Sequence, residues 1–303
     1  MTQLLLSLTL SFFLCLQFGR GAVSEEFQSP DILVLGDSQL TFGAGPAFLE
    51  FFQDIKAHCS PDTDQKRDLE KLGHMSVGVI GVRSTSLPSW TARKGRQKGL
   101  VCDIDPKWKV NAGTYGAINQ SSNPYVQIGS GKTYNFCKKG KSPFEAMFED
   151  KYYMPKLFIM FFLGNSARRW ANSKDAAFSD VKETMRQLPP GMPCIFMTTA
   201  PAYRKKTVDL RLAAQKNVQQ AFEETGMRCD FVPGLTPETV AANLGNKHYF
   251  RLNKAGKVKD PYHPNRKAAK NFFAVEMDDI CKAIFHQVED KQTSRLVLRP
   301  ALQ

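Results

Sequence analysis

The sequence lacks several patterns that mark common classes of protein. None of its seven cysteines stands in a Cys-x-x-Cys or other metal-type spacing, so we expect no zinc site. No helical segment carries a dense basic stripe, which makes nucleic acid a poor partner despite a formal net charge of +12. Internal repeats and low-complexity tracts are also missing. With 42% hydrophobic and 23% charged residues, the composition is that of a globular protein.

One long apolar run lies at the N-terminus. It covers residues 4–18 and is followed by Ala22 and Ser24, small residues at positions that a signal peptidase prefers. The run is too short to span a bilayer comfortably. We therefore interpret 1–24 as a cleaved signal peptide and 25–303 as a single secreted or periplasmic domain without a membrane span. No Lys or Arg precedes the run, so an uncleaved anchor is the alternative.

Export changes how the cysteines and the charge are interpreted. Signal cleavage removes Cys15 and leaves six of the seven cysteines, an even number that predicts disulfide bonds in an oxidising compartment. A basic exported protein is suited to anionic partners such as acidic polysaccharide, lipopolysaccharide or a phospholipid surface. A solvated basic surface with no specific partner is the alternative.

Short apolar runs alternate with amphipathic segments along most of the chain. The runs predict buried strands at 31–36, 77–80, 156–163, 193–198 and 229–232. Helical patterns cover 49–57, 175–188, 209–225 and 265–288. This alternation predicts an α/β fold with a parallel sheet covered by helices. Residues 82–155 differ, because Gly, Ser, Asn, Lys and Tyr dominate, and we expect a mostly β or irregular insertion there.

Ser38 follows the first predicted strand directly, in Gly36-Asp37-Ser38. Ligands collect at the carboxyl ends of parallel strands, so a hydroxyl group there is well placed for nucleophilic chemistry. Near the other end of the chain, Asp260 precedes His263 by three residues. A histidine base needs a carboxylate to fix its tautomer, and this spacing allows contact. Taken singly, Ser38 could be a helix cap and His263 a surface residue.

An oxyanion hole would complete such a site, because the charge that develops on a carbonyl oxygen needs N–H donors. Gly81, after the second strand, could offer its backbone N–H, and Asn165, after the third, its side-chain amide. Both could equally be turn residues.

Four motifs, taken in their order along the chain, resemble the four sequence blocks of the SGNH/GDSL hydrolases, a family of serine esterases and lipases. They are Gly36-Asp37-Ser38, Gly78-Val-Ile-Gly81, Gly164-Asn165 and Asp260-x-x-His263. The resemblance covers 31–81 and 156–288. The sequence departs from the family's pattern in having Gln39 for leucine, Ser166 where many members have Asp, and no Asn before Gly78.

The resemblance implies a flavodoxin-like three-layer α/β/α fold. It also implies that Ser38 attacks an ester carbonyl, that His263 acts as base and then acid, and that Asp260 orients His263. The N–H groups of Ser38 and Gly81 and the side chain of Asn165 would form the oxyanion hole, and the reaction would use no metal or cofactor. The winding of this fold further predicts the disulfides Cys59–Cys281, Cys102–Cys137 and Cys194–Cys229.

The insertion suggests a substrate. Arg83, Trp90 and Trp108 could bind it, since aromatic rings stack on sugars and cations suit anionic groups; alternatively the aromatic residues form a small core. We expect a secreted esterase that removes O-acyl groups, acetyl most simply, from an anionic polysaccharide. The alternatives are a lipid esterase or thioesterase, for which Phe42, Phe48 and Phe51 could line an apolar pocket, a polysaccharide O-acyltransferase, and a non-catalytic polysaccharide-binding module.

Overall fold

The computed structural model describes most of the chain that follows the predicted signal peptide. The described residues are 29–60, 66–93, 101, 114–115, 136–149, 151, 153–226 and 228–297. The predicted signal peptide, 1–24, lies outside them. Within these residues, we find no helix that combines the length and the apolar character needed to cross a membrane.

A six-stranded sheet forms the centre of the molecule, and five of its strands are the apolar runs identified in the sequence. Its strands are β1 (Ile32–Gly36), β2 (Val77–Gly81), β3 (Thr114–Tyr115), β4 (Leu157–Phe161), β5 (Cys194–Met197) and β6 (Asp230–Val232). They lie in the order β3-β2-β1-β4-β5-β6, and only the edge strand β3 is antiparallel to its neighbour. The five parallel strands therefore have the flavodoxin-like order 2-1-3-4-5. This order confirms the predicted fold class.

Helices cover both faces of the sheet. They are α1 (Gly45–Gln53), α2 (Ile55–His58), α3 (Lys66–Leu72), α4 (Leu87–Thr91), α5 (Pro143–Phe148), α6 (Ala167–Asn172), α7 (Lys174–Gln187), α8 (Lys205–Glu224), α9 (Pro237–Asn243), α10 (Arg266–Val275) and α11 (Met277–Val297). The helix predicted at 265–288 is thus two helices, α10 and α11, with Glu276 between them.

Several smaller elements were not predicted from the sequence, and three of them lie near the predicted site residues. A π-helical turn, Leu40–Ala44, precedes α1, and a short 3-10 turn, Lys247–Tyr249, leads into an antiparallel hairpin. The hairpin consists of β7 (Phe250–Leu252) and β8 (Val258–Pro264) and is separate from the main sheet. It matters for function because β8 contains both Asp260 and His263.

Strand residues alternate between two hydrophobic cores, as the pleat of a sheet requires. Leu33 and Leu35 of β1 belong to the core on one face, and Ile32 and Val34 to the core on the other. Every residue of β1 is buried, which explains why the sequence of this strand is a continuous apolar run.

The described part of segment 82–155 is built into the first of these cores. It adds two short helices, α4 and α5, to the β or irregular structure expected there, and capping boxes at Ser86 and Ser142 begin them. Trp90, Phe136 and Phe144 are 0% exposed and belong to the same hydrophobic cluster as Leu33 of the sheet. The segment therefore covers one face of the sheet.

Two disulfides connect elements that are distant in sequence. Cys59, after α2, is bonded to Cys281 of α11, and Cys194 at the start of β5 to Cys229 just before β6. Both pairings are those expected from the winding of the fold. Cys137 is also disulfide-bonded, and its predicted partner Cys102 lies outside the described residues.

Candidate active site

Ser38 lies at the carboxyl end of β1, where the chain turns sharply into the π-helical turn. Gly36 makes this turn possible, because a Cβ atom at that position would lie 2.3 Å from the carbonyl oxygen of Phe161 and 2.9 Å from Leu40 Cδ1. Ser38 is only 8% exposed. The hydroxyl group is therefore held at the edge of the central strand and largely shielded from water.

Asp260 and His263 are fixed by a local turn inside β8. The backbone N–H groups of Tyr262 and His263 donate to Asp260 Oδ1 at 3.1 and 3.2 Å. The same carboxylate lies 2.9 and 3.0 Å from His263 Nδ1. The irregular register of the hairpin leaves this stretch of β8 out of the regular ladder, so its N–H groups can turn to the carboxylate.

The structure brings Ser38, His263 and Asp260 together although 225 residues separate the serine from the histidine. Ser38 Oγ lies 2.8 Å from His263 Nε2, on the opposite side of the imidazole from Asp260. With Nδ1–H donating to the carboxylate, Nε2 carries a lone pair and accepts from the serine hydroxyl. This is the tautomer that a general base requires.

The electrostatics of the pair favour a charged carboxylate. Burial alone would raise the pKa of Asp260, but the hydrogen bonds and charge of His263, with the two backbone N–H groups, hold that pKa below its ordinary value. The side chains of His263 and Asp260 are 22% and 13% exposed, so the imidazole stays reachable from solvent.

Phe42 of the π-helical turn packs against the histidine and Gly43 against the loop that follows it, and sequence reasoning identified neither contact. The ring of Phe42 stacks on the His263 imidazole with centroids 4.3 Å apart. A Cβ atom on Gly43 would lie 2.6 Å from the backbone carbon of Asn265 and 2.8 Å from the oxygen of Pro264. Glycine thus lets the turn after Ser38 approach the loop after His263.

A buried arginine donates hydrogen bonds to the backbone of the turn that carries Asp260 and His263. Arg211 of α8 is 3% exposed and donates to the carbonyl oxygens of Ala200 and Tyr262, both at 3.3 Å. The side chain of Gln39 also donates to Tyr262, at 2.9 Å. Tyr262 lies between the acid and the base in sequence, so these bonds fix the backbone that carries both. An arginine at a core-facing position of the predicted helix was the overlooked signal.

Asp37, beside the nucleophile, faces this cationic environment while fully buried. Burial raises the pKa of Asp37, although the Gln39 N–H group and the charges of Arg211 and His263 act in the opposite direction. Gln39 N donates to Asp37 Oδ1 at 2.8 Å, which stabilises the turn around Ser38.

The predicted oxyanion donors are placed differently from one another. Asn165 is exposed, and its Nδ2 donates to the carbonyl oxygen of Thr85 at 2.7 Å, so the amide has a fixed position beside the loop after β2. Gly81 is buried, and a Cβ atom there would lie 2.8 Å from Leu40 Cβ. Close packing under the turn thus explains this glycine, and its role as a donor stays a prediction.

Ser84 was not identified from the sequence. It lies in the loop after Gly81, next to Thr85, the residue that Asn165 contacts. It is exposed and has a φ of 63°, a left-handed conformation that non-glycine residues rarely adopt. Such backbone geometry is concentrated at functional sites, so Ser84 becomes a second candidate for the donor role assigned to Gly81.

The residues predicted to bind substrate have three different outcomes. Arg83 lies at the site, with its Nε donating to Thr41 Oγ1 at 3.2 Å and its guanidinium 4.4 Å from the centre of the Phe42 ring. Trp90 is 0% exposed and packs against Phe136, so its prediction as a substrate-binding residue is wrong: a fully buried ring cannot stack on a sugar. Trp108 lies outside the described residues.

The aromatic residues suggested for an apolar acyl pocket are also in the core. Phe48 and Phe51 are 0% and 2% exposed and belong to the second hydrophobic core. Only Phe42 is at the site, where it contacts His263. Within the described residues, no group of three or more His, Cys, Asp or Glu side chains is arranged to hold a metal ion.

Fold and site together define an α/β protein of flavodoxin-like topology with a hydrogen-bonded Ser–His–Asp arrangement at the carboxyl edge of its sheet. No protein-family model matches the sequence, and no curated protein does.

Several solved structures are similar to it. A family two carbohydrate esterase from Clostridium thermocellum, in complex with cellohexaose, shares 12% identity at a TM-score of 0.37, covering 88% of this chain and 66% of its own. The chain thus spans about two thirds of that esterase. A candidate SGNH hydrolase from Slackia heliotrinireducens shares 12% identity at a TM-score of 0.38, covering 85% of this chain and 100% of its own. Axe2, an acetylxylan esterase from Geobacillus stearothermophilus, shares 14% identity at a TM-score of 0.39, covering 83% and 95%.

Proposed function

We propose that this protein is a serine esterase of the SGNH type that removes O-acyl groups, acetyl most simply, from an anionic extracellular or envelope polysaccharide. The observation that carries the esterase chemistry is the pair of hydrogen bonds at His263, which joins Ser38 Oγ at 2.8 Å on one side and Asp260 at 2.9 Å on the other.

The reaction follows from this geometry. Ser38 Oγ attacks the ester carbonyl carbon while its proton passes to His263 Nε2, and Asp260 stabilises the resulting imidazolium. The imidazolium then protonates the leaving sugar oxygen, which leaves an acyl group on Ser38. Water attacks this acyl-enzyme with His263 again as base, and the carboxylic acid is released.

The tetrahedral intermediates need hydrogen-bond donors for their negative oxygen. The amide of Asn165 and the N–H of Ser38 supply two, and the loop after β2 supplies a third from Gly81 or Ser84. Removal of one such donor costs about 100-fold or more in kcat.

The substrate class is supported by charge and by exposure. The chain has a formal charge of +12, and Arg83 stands at the site itself. The packing of Phe48 and Phe51 into the core removes the side chains that had suggested a long apolar acyl pocket. With that argument for a lipid ester removed, we favour a short acyl group on a large polar substrate.

Hydrolysis of para-nitrophenyl esters with two to twelve acyl carbons tests the mechanism. We expect the acetyl ester to be preferred, Ser38→Ala to abolish turnover, and mass spectrometry to detect an acylated Ser38 peptide after rapid quenching. The matched control is Ser173→Ala, which removes a hydroxyl that caps α7 and should retain activity. Turnover that survives in Ser38→Ala would refute the mechanism. Acetate release from an acetylated acidic polysaccharide then tests the substrate class.

A further inference from the structure

A basic cavity lies beside the proposed active site and plays no part in the mechanism above. Its volume is about 320 Å³, within the range of small-molecule sites, and it is lined by Tyr203, Arg204, Lys247, Gly256, Lys257, Val258 and Pro261. Pro261 stands between Asp260 and His263 in the chain. The turn that carries the acid and the base therefore contributes one residue to the wall of the cavity.

Backbone contacts make the floor of this cavity rigid. The N–H of Tyr203 donates to the carbonyl oxygen of Pro261 at 2.9 Å, and the N–H of Gly245 donates to that of Tyr203 at 3.0 Å. The ring of Tyr203 packs edge-on against Phe250, with centroids 5.4 Å apart. Together with Val258 and Pro261, it gives the cavity an apolar floor.

The rim is cationic, and no carboxylate lines it. Arg204, Lys247 and Lys257 are all exposed, and none forms an ion pair with any residue that the structure describes, whereas neighbouring Lys205 is paired with Asp209 at 2.8 Å. The carboxylate of Asp260 is turned to His263 instead. Three uncompensated cations that surround one concave, partly apolar site attract an anion.

The hairpin tip that supplies Lys257 is also well ordered. The side-chain oxygen of Asn253 accepts from the N–H groups of Ala255 and Lys257 at 3.0 and 2.9 Å. Gly256 completes the tip with a φ of 71°, and a Cβ atom there would meet nothing within 4 Å. The backbone that carries Lys257 is therefore held by hydrogen bonds within the tip.

We propose that this cavity binds an anionic sugar residue of the polymer, adjacent to the residue that carries the scissile ester. The proposal rests on the esterase function above and deepens it. The sugar ring lies on Tyr203 and Val258, while its carboxylate is paired with the rim cations. Binding here places the next residue of the chain at His263 and Ser38.

Calorimetric binding to the Ser38→Ala protein tests the cavity without any turnover. The probes are trigalacturonic acid, the neutral xylotriose and inorganic phosphate. We expect trigalacturonic acid to bind more tightly than xylotriose, with an affinity that falls as salt rises. Adding Lys247→Gln and Lys257→Gln to this protein should weaken its binding about tenfold. The control, Lys182→Gln, neutralises an exposed lysine on α7 and should change nothing.

Equal affinities for the two sugars, or trigalacturonic acid binding that the double substitution leaves intact, would overturn the proposal. Phosphate binding as tight as that of trigalacturonic acid would also overturn it, because the cavity would then select a small anion and not a sugar. In the active protein, the double substitution should lower the ratio of kcat/KM for acetylated polygalacturonate to that for para-nitrophenyl acetate about tenfold.

The two levels of proposal fail separately. If the wild-type protein hydrolyses no ester but the Ser38→Ala protein binds trigalacturonic acid as expected, the esterase function is wrong and the cavity remains a sugar site. If esters are hydrolysed but trigalacturonic acid and xylotriose bind with equal affinity, only the cavity proposal fails.

Discussion

The part of the chain that the structure describes contains two histidine–aspartate pairs whose local geometry is nearly the same. His263 Nδ1 lies 2.9 and 3.0 Å from the carboxylate oxygens of Asp260, and His286 Nδ1 lies 2.8 and 3.0 Å from those of Asp230. The surroundings differ. The His263 side chain is 22% exposed and its Nε2 meets Ser38, whereas the His286 side chain is 61% exposed on the surface of α11.

The position of each pair in the sheet explains the difference. Asp230 is the first residue of β6, at the amino end of a strand, while Ser38 follows the carboxyl end of β1. In parallel α/β folds the carboxyl ends hold the ligand crevice. The carboxylate of Asp230 also accepts a hydrogen bond from the side chain of Gln287, whose oxygen accepts from the backbone N–H of Cys194. The second pair is therefore part of a structural hydrogen-bond network. A histidine–aspartate contact becomes a candidate site only where the fold adds a nucleophile.

Removal of the carboxylate should show the largest difference in activity between the two pairs. We expect Asp260→Asn to lower kcat/KM for para-nitrophenyl acetate about 10⁴-fold, because the amide favours the wrong tautomer of His263. Asp230→Asn is the matched control and should leave kcat/KM unchanged. Equal losses in both variants would contradict the distinction drawn here.

Arg211 should matter for the first pair alone. Arg211→Met removes the donors to Tyr262 and Ala200, so we expect about 3 kcal/mol lower free energy of unfolding and about 100-fold lower kcat with little change in KM. Arg169→Met removes an ion pair with Asp180 and should lower stability only. Denaturant titrations and steady-state kinetics below the unfolding temperature measure both. A purely structural Arg211 would show unchanged kcat in the folded fraction.

The close packing at Gly43 provides a steric test. In Gly43→Ala the added Cβ collides with backbone atoms of Pro264 and Asn265, so the turn that carries His263 must shift. We expect kcat to fall about tenfold. Gly73→Ala is the control, since its Cβ would approach only the flexible end of Lys56 closely, at 3.0 Å, and would lie at an ordinary contact distance of 3.6 Å from two backbone oxygens. A Gly43→Ala enzyme with normal kcat would show that the loop tolerates the displacement.

The lowered pKa of Asp260 predicts how stability depends on pH. A carboxyl group whose folded-state pKa lies below its unfolded value stabilises the fold above the unfolded pKa, and that contribution is lost as pH falls through the folded pKa. The stability difference between wild type and Asp260→Asn should therefore be largest near neutral pH and shrink below about pH 4. Urea midpoints measured between pH 7 and pH 3 test this. A constant difference would contradict it.

The smallest expected effect concerns backbone strain. Ser84→Gly relieves a left-handed φ and should raise the free energy of unfolding by about 1 kcal/mol. Lys151→Gly, at a φ of 55°, should give a similar gain and leave kcat unchanged. If the side-chain hydroxyl of Ser84 is an oxyanion donor, only Ser84→Gly lowers kcat. Unchanged kcat in both variants would exclude that hydroxyl and leave the role to a backbone N–H such as that of Gly81.

The parallel strands and the Ser38, Asp260 and His263 positions were predictable because each leaves a local signal. A buried parallel strand is a continuous apolar run, and the three residues stand at strand ends or in a polar loop. The hairpin was not predictable, since Arg251 and Lys259 give its strands no apolar alternation. Main-chain bonds to Tyr203 and the packing of Phe250 hold it instead.

The burial of individual aromatic residues in segment 82–155 could likewise not be predicted from the sequence. Trp90 stands near Arg83 and Arg93, so it looked like part of a basic, sugar-binding surface. In the structure, Arg93 is paired with Glu145 at 2.7 Å and Trp90 packs inward. The direction of a side chain in an irregular segment depends on tertiary contacts, which no periodicity records.

The packing of segment 82–155 against the sheet has a consequence for how the protein unfolds. Because Trp90, Phe136 and Phe144 share one core with Leu33 and Phe158, the described parts of the segment should melt together with the sheet. Calorimetry should record a single cooperative transition. Deletion of the segment would therefore do more than shorten a loop: it would remove side chains of this core and expose part of one face of the central sheet to water.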